Sequence, residues 1–177
     1  MAGHPEHSGG RRDDLGLVPK EPAMKPLADT NWLARFYLES GPLHEVCQRQ
    51  MQQHEVPLHI SPPVLYEART VFPRLTGEAN PAAFAQLKSD LGDGIVFHPL
   101  DWSLLERMGA ELLDKYAHKS AIGAMDSLIV ASALAAGCDW FYSFDTGSNA
   151  RALAAACRLK VFPDLTAEDR TRRAALR

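Results

Sequence analysis

Four carboxylates in this 177-residue chain stand where burial would make them costly: Asp29, Glu67, Asp126 and Asp145. Asp29 closes the short apolar run Pro26-Leu27-Ala28, and Asp145 follows the aromatic stretch "DWFYSF". Glu67 lies in "VLYEARTVF" with Val64 and Val71 on its side at helical spacing. Asp126 opens "AMDSLIVASALAAG", with Ile129 and Val130 one turn on. A carboxylate beside an apolar stripe is paired, protonated or bound to a cation, because an isolated buried charge is too unfavourable. Four of them at one place would repel, and the economical resolution is a divalent cation with hard oxygen ligands, Mg²⁺ or Mn²⁺. Singly, each also suits a simpler role. Asp29, Asp126 and Asp145 could be helix caps or Asx turns, and Glu67 could pair with Arg69, Arg74 or another surface base.

Whether they meet depends on the elements that carry them. "PLAD" reads as a strand ending in Asp29, followed by a helix over "NWLARFYLES" to the Gly41-Pro42 break. Leu43 to His54 has helical spacing, residues 56–61 read as a second strand, and Pro62-Pro63 open a helix that Pro73 stops. Asn80-Pro81 begins a further helix, "GIVFHPL" is a third strand, and Asp101 caps a long helix through Tyr116. Gly137 closes the small-residue helix that carries Asp126. A fourth strand then ends one residue before Asp145, "SNARALAAACRL" is a helix, and "KVF" is a fifth strand. Alternating strands and helices predict an α/β fold: a three-layer α/β/α arrangement around a mostly parallel sheet of about five strands. In such sheets chemistry collects beyond the carboxyl ends of the strands, which is where Asp29 and Asp145 are delivered.

Residues 144–148, "FDTGS", match the string around the catalytic aspartate of pepsin-like proteases. That chemistry needs strands on both sides of the loop and a second aspartate to share a proton. Here an alanine-rich helix follows and no second DTG exists, so the string is a coincidence. An Asp-x-Asp phosphatase loop is equally absent, because "ADTNW" places Asn31 where the second Asp would stand.

Composition narrows the class further. The chain is 46% hydrophobic and 23% charged, enough for one domain with a sizeable core. Its net charge of −3 gives no global field for nucleic acid, so a phosphate-bearing substrate would be held by local cations or metal. Three cysteines without CxxC spacing read as reduced thiols of a cytoplasmic protein. No run approaches membrane-spanning length. Residues 1–23 read as a disordered leader, or as an upstream start before Met24. Residues 24–163 read as the domain, and residues 164–177 as a basic tail or frayed helix.

"LADTNWL", "SPPVLYEAR", "AMDSLIVASAL" and "FYSFDTGSNARALA" fall in the order and spacing of PIN domains, and the chain most resembles VapC-type toxin ribonucleases of toxin–antitoxin pairs. The resemblance covers Leu27 to Pro163. It implies an acidic metal site of Asp29, Glu67, Asp126 and Asp145, with Asp29 and Asp126 the first candidates for direct ligands. Asn31 and Ser143 match supporting polar positions that orient such a site. Gly147 departs from the pattern, since many relatives carry another acid there. The implied activity is Mg²⁺- or Mn²⁺-dependent endoribonuclease action leaving 5′-phosphate and 3′-hydroxyl ends. The implied partners are RNA, a cognate antitoxin and a second copy of the chain. Two alternatives are a PIN nuclease of RNA processing outside any toxin pair and a catalytically weak RNA- or protein-binding module. Candidate RNA contacts are Arg35, Arg69, Lys119 and Arg151, each near a motif and each equally suited to a solvated surface. Trp32, Phe36, Tyr37 and Tyr66 could stack bases, but at helical spacing Leu33, Phe36 and Tyr37 read as a packing face for the next helix.

Overall fold

Five strands of three residues each alternate with helices, and the two at residues 26–28 and 58–60 are buried along their whole length. The structure, a computed structural model, describes residues 24–38, 41–54 and 56–177, so the expected leader over 1–23 lies outside the described residues. The order is β1 (Pro26–Ala28), α1 (Thr30–Leu38), α2 (Pro42–His54), β2 (Leu58–Ile60), α3 (Pro62–Thr76), α4 (Ala82–Ser89) and β3 (Ile95–Phe97). Then follow α5 (Trp102–Tyr116), α6 (Ala124–Ala135), β4 (Trp140–Tyr142), α7 (Ala150–Ala156), β5 (Lys160–Phe162) and α8 (Ala167–Ala175). All strands are parallel, in the order β3-β2-β1-β4-β5. This is the predicted three-layer α/β/α architecture.

The strand order reverses beside β1. Successive strands build outward from β1 through β2 to β3, and the chain then returns to place β4 on the other side of β1. The helices leaving β1 and β4 therefore diverge, opening a crevice beyond the carboxyl ends of those two strands. Leu27 pairs with Phe141 across this junction, and both are fully buried. Trp32 on α1 is also fully buried, stacked on Phe36 at 5.5 Å between ring centroids. The aromatic face of α1 is thus core packing rather than a base-stacking surface. Gly109 on α5 lets Leu128 of α6 approach so closely that a Cβ added to the glycine would lie 2.9 Å from Leu128 Cδ2.

Two expectations about helix ends change. Pro73 does not stop α3, which continues to Thr76 and closes at Gly77, where φ is 73° and the N–H donates to the Pro73 carbonyl at 2.8 Å. A proline this near the end of a helix removes one hydrogen bond, to the carbonyl of Arg69 four residues back, and one more turn fits after it. The segment read as a basic tail or frayed helix contains α8, which packs against α7. Its start is a capping box: Thr166 Oγ1 accepts from the Asp169 N–H, and Asp169 Oδ2 accepts from the Thr166 N–H.

Asp169 carries α8 further into the domain. Its Oδ2 also accepts from Arg151 Nε at 2.9 Å, and both side chains are wholly buried. Arg151 Nη2 donates to the carbonyls of Pro163 at 2.8 Å and Asp164 at 2.9 Å, and its Nη1 donates to the Ser143 carbonyl. Asp169→Ala leaves that guanidinium buried without its counter-charge, which is expected to destabilise by about 3–5 kcal/mol. Thermal unfolding should show a Tm roughly 10 °C lower. A variant melting within a degree of the parent would show that this pair does not fasten α8.

Candidate active site

Asp29 follows β1 directly and is only 5% exposed, so protein groups must replace the water its carboxylate loses. Its Oδ1 accepts from the Thr30 N–H at 2.6 Å. Its Oδ2 accepts from Asn31 Nδ2 at 2.9 Å and from Ser143 Oγ at 2.8 Å. The same Asn31 uses Oδ1 to accept the Phe144 N–H at 2.7 Å, tying the turn after β1 to the turn after β4. Burial nonetheless pushes Asp29 up to about 7; the Ser143 bond opposes the rise and the negative field of Glu67 adds to it.

Asp145 stands three residues beyond Tyr142 rather than one beyond the strand, because β4 ends earlier than expected. Ser143 still keeps the sheet's pairing, with its N–H donating to the Phe162 carbonyl at 2.9 Å. Asp145 then caps its own turn: Oδ1 accepts from the N–H groups of Gly147 at 2.8 Å and Ser148 at 3.2 Å. Asp126 sits in the first turn of α6. Desolvation, followed by the charges of Asp145 and Glu67, raises it to about 6, against hydrogen bonds from the Gly123 backbone and the Ser148 side chain. Glu67 reaches the same space from α3.

All four carboxylates line a single cleft of about 410 Å³ with Thr30, Asn31, Phe144 and Gly147. Among the described residues, no three His, Cys, Asp or Glu side chains are closed up into a ready-made metal cage. The acids reach the cleft from four separate segments: the end of β1, α3, the first turn of α6 and the turn after β4. Their donor set fits a hard divalent cation: every candidate ligand is a carboxylate oxygen, and no sulfur or imidazole lines the cleft. Burial raises the Asp29 and Asp126 carboxyls and the charges of their acidic neighbours add to the rise, and a bound cation would oppose both effects.

The basic candidates divide. Arg35 lines the cleft, and so does Arg74, which had been read only as a partner for Glu67. Helical phase finds Arg74, because Glu67, Val71 and Arg74 follow the i, i+4, i+7 pattern of one α3 face. Arg69, two residues from Glu67, points elsewhere and lies over the Phe84 ring at 5.8 Å. Lys119 Nζ donates to the carbonyls of Leu176 and Arg177, outside the cleft. Arg151 is a correction: it is 0% exposed and held by Asp169 and three carbonyls, so it presents nothing to RNA.

A cleft of acids at a parallel sheet's switch point agrees with a family comparison. The PIN domain model matches residues 27–156, and the chain belongs to the PIN-domain family. Among solved structures, the chain resembles Mycobacterium tuberculosis VapC20, a sarcin-ricin loop cleaving toxin. That match has a TM-score of 0.59 and 21% identity, covering 75% of this chain and 95% of that one. FitAcB from Neisseria gonorrhoeae also matches, with a TM-score of 0.49 and 19% identity over 77% of this chain and 96% of that one. No curated protein sequence gives a significant match. Among the described residues, no helix is long and apolar enough to cross a membrane.

The raised carboxyls make a pH prediction for the metal-free protein. Folded Asp29 and Asp126 hold protons that the unfolded chain, with carboxyls near 3.8, has already released. Their contribution is therefore favourable at low pH and is lost as pH rises through about 4 to 7. In EDTA, Tm should fall between about pH 5 and pH 8, and Asp29→Asn should flatten that fall and melt above the parent at the higher pH. Mg²⁺ should restore stability at the higher pH and have little effect at the lower. An unchanged slope in Asp29→Asn would acquit this carboxyl.

Proposed function

We propose that this PIN-domain protein is a Mg²⁺- or Mn²⁺-dependent endoribonuclease, the toxin of a toxin–antitoxin pair. The observation that carries the reading is the meeting of Asp29, Glu67, Asp126 and Asp145 in one cleft, with Arg35 and Arg74 on its walls. Asp29, Glu67, Asp126 and Asp145 would hold the cation. When bound, it lowers the pKa of water and offsets the charge that builds on a phosphate during hydrolysis.

The chain's own residues supply orientation and attraction. Asn31 and Ser143 fix the Asp29 carboxylate, and the Gly147 and Ser148 amides fix that of Asp145. Arg35 and Arg74 give the acidic cleft a cationic wall against which an RNA phosphate can rest. The likeness to VapC20 in fold supports RNA over other phosphodiesters and supports the toxin assignment. A cognate antitoxin, a homodimer and a cytoplasmic location belong to the same reading. Gly147 favours the weaker-enzyme alternative to one extent: it has no side chain to offer a cation where many relatives place a further carboxylate.

Purified protein should cut total RNA into discrete fragments with Mg²⁺ or Mn²⁺ and none with EDTA. Asp29→Ala and Asp126→Ala should lower the rate roughly a thousandfold, the scale of several kcal/mol of lost charge stabilisation. Cleavage that survives both substitutions in folded protein would remove this site from the chemistry. A folded, metal-loaded parent that leaves RNA intact would make the chain a binding module.

A further inference from the structure

The turn that carries Asp145 is gripped from outside by a residue beyond the segment matched to the PIN family, which ends at residue 156. Arg172 of α8 donates through Nη1 to the carbonyls of Thr146 and Ser148, both at 2.7 Å. The Thr146 carbonyl and the Gly147 N–H belong to one peptide group. That group is therefore held at its oxygen by Arg172 and at its nitrogen by Asp145 Oδ1, 2.8 Å away. Ser148 is held in the same double manner, its N–H by Asp145 and its carbonyl by Arg172. The turn cannot swing without breaking bonds on both sides, and the carboxylate cannot swing without breaking its bonds to the two amides.

Arg172 is itself set in place. Nη2 pairs with Glu168 one turn earlier on α8, and the Arg172 side chain is only 24% exposed although it lies on the protein's surface. The helix beneath it is anchored through its capping box and the buried Arg151–Asp169 pair. Arg151 also donates to the carbonyl of Ser143, the residue whose hydroxyl bonds Asp29. So α8 holds the far end of the segment 143–148 directly through Arg172, and reaches its near end through Asp169 and Arg151 of α7.

We propose that Arg172 is a positioning residue that aims Asp145 into the cleft, so that α8 sets the cation affinity of the site. The inference rests on reading Asp145 as a cation ligand. It accounts for a charged side chain spent on two backbone carbonyls, where helix stability alone needs only its pairing with Glu168.

The test uses the full chain with Mn²⁺ as the probe, in a cycle of parent, Arg172→Ala, Asp145→Ala and the double variant. Loss of the clamp should speed hydrogen exchange at the Gly147 and Ser148 amides at least tenfold, as a local opening without global unfolding. Mn²⁺ affinity, followed by electron paramagnetic resonance, should weaken about three- to tenfold in Arg172→Ala and no further when that change is added to Asp145→Ala. Arg172→Gln, which keeps one donor, should fall between parent and alanine variant, and serves as the test if the alanine variant folds poorly. Unchanged exchange at both amides, or equal weakening with and without Asp145, would overturn the proposal. So would a raised KM for RNA with unaltered Mn²⁺ affinity, which would make Arg172 a substrate contact. If the parent neither binds Mn²⁺ nor cuts RNA, the nuclease reading fails, and amide exchange alone still decides whether Arg172 clamps the turn.

Discussion

A carboxylate at the end of the central strand, nearly sealed from water, is the constraint around which this protein is arranged. Asp29 cannot be solvated from outside, so Thr30, Asn31 and Ser143 supply the donors. Two of those three are also structural ties. Asn31 bonds the Phe144 amide, and Ser143 keeps the pairing between the ends of β4 and β5. The groups that solvate one acid thus lock together the two turns flanking the crevice. Such a network is valuable when complete and costly when a single member is removed.

The repulsion among the acids works against that order. Burial raises both Asp29 and Asp126, the charge of Glu67 adds to each, and that of Asp145 adds to Asp126. A fold optimised for stability alone would replace at least one of them. Keeping all four stores unfavourable electrostatics at one place, and the surrounding structure holds it there with buried, well-paired contacts. The Arg151–Asp169 pair and the fully buried junction of Leu27 with Phe141 are such contacts, one polar and one apolar.

Much of this could be read from the chain before its structure, because the signals were local. A strand followed at once by Asp29, a capping aspartate at Asp101, and a small-residue helix closed near Gly137 each declare themselves within a few residues. Strand order is not local, yet the alternation of elements leaves few arrangements, and all of them deliver Asp29 and Asp145 to one edge. The errors came where one residue type serves two fates. Arg151 has the same letter as a substrate contact, and only the position of Asp169, eighteen residues later, makes it a buried ion pair. The Thr166/Asp169 capping box is a readable sign of the helix within residues 164–177, a segment whose basic composition left tail and frayed helix both open. Arg74 was hidden behind Pro73, which suggested that the face bearing Glu67 had already ended.

The strand order also has a consequence for biosynthesis. Asp29 and Glu67 emerge early, but their neighbour across the junction is β4, which leaves the ribosome after three-quarters of the fold has been made. Until β4 inserts beside β1, Ser143 and Asp145 are missing and Asp29 has lost two of its ties, the Ser143 hydroxyl and the link through Asn31 to Phe144. A half-made chain therefore carries acids without a cleft. The central strand waits, open along one edge, for its partner. Competence arrives late, when the last quarter of the fold closes the sheet.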